Sequence, residues 1–195
     1  MSSENLEKLQ QSDAPASTAV HQRDVGKEEA AAQEWKTAAL VGRTVTVNKP
    51  RQELYAFWRD FNNLARFLEN IESVQVKDPR VSHWTVKAPA GQTVQWDAAI
   101  TEEQPDRLIA WESAPDAQIK HAGRVEFLDA PPGRGTWVRV TLAYEPPAGE
   151  LGKAIAKLFQ KEPKMQARRD LRRFKQLMET GEISTSARCR QQAQT

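Results

Sequence analysis

One cysteine stands in 195 residues, and it lies in a polar C-terminal stretch, Thr185-Ser-Ala-Arg-Cys189-Arg-Gln-Gln. A single thiol excludes a disulfide framework and a cysteine-based metal site within one chain. So polar a tail does not supply the buried, activated setting a nucleophilic thiol needs, so no catalytic role is read for Cys189. Histidine is nearly as scarce: His21, His83 and His121 are too far apart in the chain to show a metal-ligand spacing, and neither a metal nor another cofactor is expected. No apolar run approaches the roughly 18 residues of a membrane-spanning helix. The start, Met1-Ser-Ser-Glu-Asn-Leu-Glu7, has neither the basic lead nor the apolar middle of a secretory signal. The chain therefore reads as soluble and cytoplasmic. A glycine-rich phosphate loop is missing, since Pro131-Pro-Gly-Arg-Gly135 reads as a hairpin turn, and there is no Gly-x-Ser-x-Gly nucleophile elbow.

Charge is uneven. Residues 151–195 hold 11 Lys/Arg against 4 Asp/Glu, residues 51–150 hold 11 against 15, and the first 50 hold 6 against 7, which together give the net +2. The basic character thus belongs to the C-terminal part. Aromatic side chains are not interleaved with these bases in the manner of single-strand binders, so nucleic acid is not an expected partner.

What is present is period. Residues 1–41 are rich in Ser, Gln, Glu and Ala and read as disordered, with a marginal alanine-rich helix between Asp24 and Leu40. From Gly42 a two-residue alternation places Val45 and Val47 on one face. Pro50 then opens a helix with Leu54, Phe57, Trp58 and Phe61 at helical spacing, and a second short helix fits Leu64, Ala65, Phe67, Leu68 and Ile71. Six strand-like runs follow, marked by Val74/Val76; Trp84/Val86; Val94/Trp96/Ala98/Ile100; Ile109/Trp111; Ile119/His121/Gly123/Val125/Phe127; and Thr136/Val138/Val140/Leu142/Tyr144. Short Pro, Gly and Asp breaks between them imply an antiparallel meander. Helical spacing returns at Leu151, Ala154, Ile155, Leu158 and Phe159. After Pro163 it continues at Ala167, Leu171, Phe174 and Met178, with Lys164, Arg168, Arg169, Arg172, Arg173 and Lys175 on the other face and Gly181 as a stop. The domain is expected to span 42–180, with residues 181–195 a disordered tail.

The segments Tyr55-Ala-Phe-Trp-Arg-Asp-Phe-Asn-Asn-Leu-Ala-Arg-Phe-Leu68, Leu108-Ile-Ala-Trp-Glu-Ser113, Gly123-Arg-Val-Glu-Phe127 and Asp170-Leu-Arg-Arg-Phe-Lys-Gln-Leu-Met-Glu-Thr-Gly-Glu-Ile183 resemble the bacterial polyketide cyclase/dehydrase group. That group belongs to the SRPBCC (START, birch-pollen-allergen-like) superfamily and is related to coenzyme Q-binding START-type proteins. The resemblance covers roughly residues 42 to 183. It implies an α+β helix-grip fold: a curved antiparallel sheet of about seven strands around a long C-terminal helix, with two short helices after strand one. It also implies a cavity between sheet and helix for a lipid, an isoprenoid quinone or a polyketide-like molecule. No catalytic residue is carried over, because fold does not fix chemistry.

Strand phase points Trp84, Trp96, Trp111, Val125, Phe127, Val140 and Leu142 inward. With Phe67 and Phe174 from the helices they would line an apolar pocket; the alternative is that they simply fill a core. Burying about ten methylene-like groups at roughly 0.8 kcal/mol each gives about 8 kcal/mol before association costs, enough to hold a ligand. His121 is in phase with the inward set and is the polar ligand candidate, although at a strand's open end it could instead face water. His83 is out of phase. Asp97, Glu102, Glu103 and Glu112 read as a solvated face. Three functions remain open: binding of a hydrophobic small molecule; a polyketide cyclase/dehydrase-type enzyme in which His121 or Tyr144 moves a proton; and a peripheral protein whose basic helix makes weak contact with an anionic membrane. The oligomeric state is not legible.

Overall fold

A computed structural model describes residues 39–88, 91–117, 119–145 and 163–184. The alternating runs become seven strands: β1 (Ala39–Val47), β2 (Ile71–Asp78), β3 (Val81–Lys87), β4 (Thr93–Gln104), β5 (Leu108–Ser113), β6 (Lys120–Asp129) and β7 (Thr136–Glu145). They form one antiparallel sheet in the order β1-β7-β6-β5-β4-β3-β2. Strands two to seven are a meander joined by short turns, and the first strand closes the far edge beside the last. The hairpin at 131–135 turns as its composition implies, with Ala130 N–H bonded to Gly135 O and Arg134 N–H to Pro131 O. Gly135 sits at φ +81, where a Cβ would come within 2.2 Å of the Val47 carbonyl oxygen.

Helix α1 (Arg51–Arg59) starts on Pro50, whose fixed φ suits the entry and whose carbonyl accepts from Glu53 and Leu54. The second short helix differs from its expected form. It is a 3-10 helix, Phe61–Arg66, capped by Asp60 accepting from Asn62 N–H, and Ile71 already belongs to β2 opposite Val86. Asn63 explains the tight winding, because its side-chain amide donates to both Phe57 O and Asp60. Helix α2 (Pro163–Thr180) buries Leu171, Phe174 and Leu177. The arrangement is the helix-grip fold. β1 begins three residues earlier than the expected domain start. The alanine-rich lead helix, the helical piece at 151–159, His21 and Cys189 lie outside the described residues.

Polar ties fix α2 at two places. Lys175 Nζ donates to Thr46 O at 2.6 Å and to Glu179 at 2.7 Å, while Glu179 accepts from Asn48 N–H at 2.6 Å. Arg173 Nε donates to Phe67 O at 2.9 Å, and Asp170 accepts from Glu69 N–H at 3.1 Å and from Gln166 at 3.0 Å. Two of the bases expected to face solvent are therefore turned onto backbone carbonyls.

Alternation fails in two places. Val76, expected inward beside Val74, keeps its register opposite Ser82 yet is exposed on the edge strand β2, just before a register shift between Val76 and Asp78. A second shift between Ile100 and Glu102 reverses the phase of the end of β4. Glu103 consequently turns toward α1, where it accepts from Tyr55 Oη at 2.6 Å and from Arg59 Nε. This overturns its reading as a solvated carboxylate. Burial pushes the Glu103 carboxyl up, but the hydrogen bonds from Tyr55 and Arg59 outweigh it and hold it below the usual range. Burial, with the bond to Glu103, pushes Tyr55 up to about 12.

Candidate functional site

Strand register assembles one half of the sheet's inner face from three indoles. Trp84 on β3 and Trp96 on β4 are direct cross-strand partners, with rings 6.2 Å apart and 10° from parallel. Trp111 on β5 adds a third ring, 6.0 Å from Trp84 at 16°. Its partner on β6 is Gly123, and a Cβ there would lie 2.2 Å from the Trp111 ring. Only glycine leaves the indole room to lie across the strand. Phe61 of the 3-10 helix meets Trp84 and Trp111 edge-on, at 5.9 and 5.8 Å.

His121 completes the group. Its ring stands 6.1, 5.6 and 6.5 Å from those of Trp84, Trp96 and Trp111, and it is 8% exposed, so it faces inward rather than toward water. Burial pushes its pKa down to about 4, which keeps the imidazole neutral at physiological pH. Tyr144, directly opposite on β7, is also buried, and burial raises its pKa.

Small hydroxyls serve part of this floor. Ser82 Oγ accepts from Trp84 Nε1 at 2.9 Å, and Ser113 Oγ accepts from the His121 backbone N–H at 3.1 Å. Trp96 Nε1, Trp111 Nε1 and His121 Nδ1, and Trp58 Nε1 beyond the floor, are buried and have no hydrogen-bond partner among the described residues. Neither serine was singled out in the sequence, although Ser82 is in phase with Trp84, and Ser113 with Trp111.

The other inward residues fall elsewhere. Phe67, Phe127 and Phe174 are fully buried around Trp58, whose ring lies 5.1, 6.3 and 5.0 Å from theirs. Val125 and Val140 are buried cross-strand partners between the two aromatic groups, and Leu142, opposite Gly123, is half-buried. The ten expected site residues thus divide into an indole–imidazole floor, a phenylalanine clamp under α2, and the sheet between them.

On the outer face, Asp97 holds Lys77 at 2.8 Å and His83 at 2.6 Å, and their hydrogen bonds, Lys77's first, draw its carboxyl down. Glu102 pairs with Arg124 at 2.9 Å, and Glu112 is exposed. Among the described residues no group of three or more His, Cys, Asp or Glu is placed to hold a metal ion, and no helix is long and apolar enough to cross a membrane.

Residues 47–172 match the sequence profile of the family described as "Polyketide cyclase / dehydrase and lipid transport". A Deinococcus radiodurans protein of known structure is 41% identical, with a TM-score of 0.62 over 74% of this chain and 99% of that one. The aromatase/cyclase of Streptomyces sp. R1128 is 16% identical, with a TM-score of 0.57 over 75% of this chain and 99% of its own, a likeness of fold alone. An uncharacterized 17.2 kDa protein of Streptomyces lincolnensis is 29% identical over 87 residues, 45% of this chain. The chain spans only 57% of that relative's length.

Proposed function

Since the chain belongs to the polyketide cyclase/dehydrase and lipid transport family, we propose that it binds a hydrophobic small molecule against the floor made by Trp84, Trp96, Trp111 and His121. The observation that carries this reading is the composition of that floor: three indoles, one neutral imidazole and small hydroxyls. Apolar walls with a few fixed polar groups are what ligand sites in proteins are built from. Phe67, Phe127 and Phe174 then serve as the clamp that fixes α2, and Val125, Val140 and Leu142 as the sheet on which both groups stand. A lipid, an isoprenoid quinone or a polyketide-like molecule are the ligand classes the family resemblance supplies.

Native mass spectrometry of the purified protein, with extraction of whatever it retains, tests the reading. An apolar adduct is expected, and added apolar ring compounds should quench the tryptophan fluorescence in a saturable way. Absence of both an adduct and saturable quenching defeats it.

A second reading, an enzyme of the cyclase/dehydrase kind, draws support from one observation. His121 and Tyr144 face each other across β6 and β7, so two buried groups able to move a proton lie side by side. The reading predicts that His121→Phe lowers turnover of a polyketide-like substrate by far more than it weakens the substrate's binding. Weak contact with an anionic membrane is left mainly to the exposed Arg169 and Arg172, because Arg173 and Lys175 are tied to carbonyls. Salt-sensitive sedimentation with anionic vesicles would support it.

A further inference from the structure

We propose that the floor discriminates among hydrophobic ligands by charge and polarity: it takes an uncharged ring bearing a hydrogen-bond-accepting carbonyl oxygen, received by the indole N–H groups of Trp96 and Trp111 with His121 beside them. The proposal rests on the binding reading above and specifies the chemistry of the ligand's buried end.

The contrast inside the cluster is the argument. Trp84 donates to Ser82, so the fold can satisfy an indole in this setting when it supplies a hydroxyl. Trp96 and Trp111, whose rings stack with that same indole, have no acceptor among the described residues, and His121 Nδ1 has no partner among them either. Buried polar atoms are ordinarily paired, and leaving one unmade costs about 1–3 kcal/mol. The Trp96 and Trp111 rings lie 5.6 and 6.5 Å from the His121 ring, so these unmade bonds belong to one cluster, whereas the unpaired Trp58 Nε1 lies apart among Phe67, Phe127 and Phe174. Indole N–H is a donor only, so the complementary group is an acceptor. An anion fits poorly. Among the described residues, no lysine or arginine is in ring contact or hydrogen bond with the three indoles or His121, and a carboxylate buried there would lack a counter-charge. The imidazole does not supply one either, because it stays neutral down to about pH 4.

The test is a series of three probes of one shape, followed by isothermal titration calorimetry against the full chain: 2-ethylnaphthalene, 2-acetylnaphthalene and 2-naphthoate. The ketone is expected to bind at least as tightly as the hydrocarbon despite its greater affinity for water, and the carboxylate at least tenfold more weakly than the ketone. Trp96→Phe and Trp111→Phe, which keep an aromatic ring but remove the N–H, should each weaken the ketone by about 3- to 10-fold and leave the hydrocarbon within twofold. Should either variant fail to fold, the carbonyl stretch of the ketone bound to the unaltered protein decides: a shift to lower wavenumber than in hexane supports the proposal, and an unshifted band overturns it. Equal losses for ketone and hydrocarbon in the variants, or tightest binding of the carboxylate, overturn the proposal while leaving hydrophobic binding intact. Failure of all three probes to bind removes the binding reading itself.

Discussion

Gly123 shows how much a single missing atom decides. The Trp111 indole occupies the place of its absent side chain, so Gly123→Ala must push a buried ring off its seat and disturb its stacking with Trp84. Overpacking of this kind costs about 1–3 kcal/mol, and urea denaturation should show a loss in that range. A substitution at Gly42, where a Cβ would meet nothing within 4 Å, is the control and should cost far less. Equal losses at the two positions would mean that the Trp111 ring does not lie across β6. None of this is readable from the residues alone. Gly123 falls in phase with His121 and Val125, but its relation to Trp111 depends on the register of β5 against β6, and a glycine in an alternating run does not announce which side chain covers it.

At the scale of elements, the alternating runs made all seven strands legible, most clearly along β6 and the first eight residues of β4, where every second residue is buried. Alternation carries no information about bulges, and there the reading failed. Glu102 and Glu103 read alike as part of a solvated face, whereas the bulge after Ile100 gives the two glutamates opposite fates. The 3-10 helix was hidden for a similar reason, since side-chain bonds from Asn63 set its winding and periodicity does not report them. The glutamate pair offers a sharp contrast. Glu103→Ala strips Tyr55 and Arg59 of their shared acceptor at the junction of α1 and β4, with an expected loss of about 1–3 kcal/mol. Glu102→Ala removes one partner of a half-exposed surface ion pair with Arg124 and should stay within about 0.5 kcal/mol. Denaturant midpoints of the two variants check this, and indistinguishable midpoints would contradict the phase reversal. The candidate site was legible only as a set of inward positions. Its division into floor and clamp was not, because that depends on which helix covers which half of the sheet.

For the whole molecule, one buried and one half-buried group titrate in opposite senses. Burial pulls His121 from 6.5 down to about 4, so folding favours the neutral ring; that stability is complete above pH 6.5 and is lost as the pH falls toward 4. Burial lifts Asp170 from 3.8 to about 6, against the hydrogen bonds from Glu69 and Gln166, so folding favours the protonated acid; that stability is present at low pH and lost as the pH rises through 6. Each shift is worth about 3 kcal/mol at full amplitude, and in the intact protein the two slopes oppose one another between roughly pH 6 and 4. Asp170→Asn should therefore make the protein lose stability more steeply on acidification across this window, and His121→Phe should make it gain stability. Urea midpoints measured from pH 7 to 4.5 test the pair, and parallel curves for the two variants would refute it. Finally, the pairing of β1 with β7 bears on how the chain is born. Thr136, the partner of Val47, leaves the ribosome 89 residues later, which at bacterial elongation rates leaves the first strand without its neighbour for roughly 5 to 20 seconds. During synthesis β1 is thus a bare edge with valines to hide, and a nascent chain stalled before residue 136 is the form of this protein most in need of a chaperone.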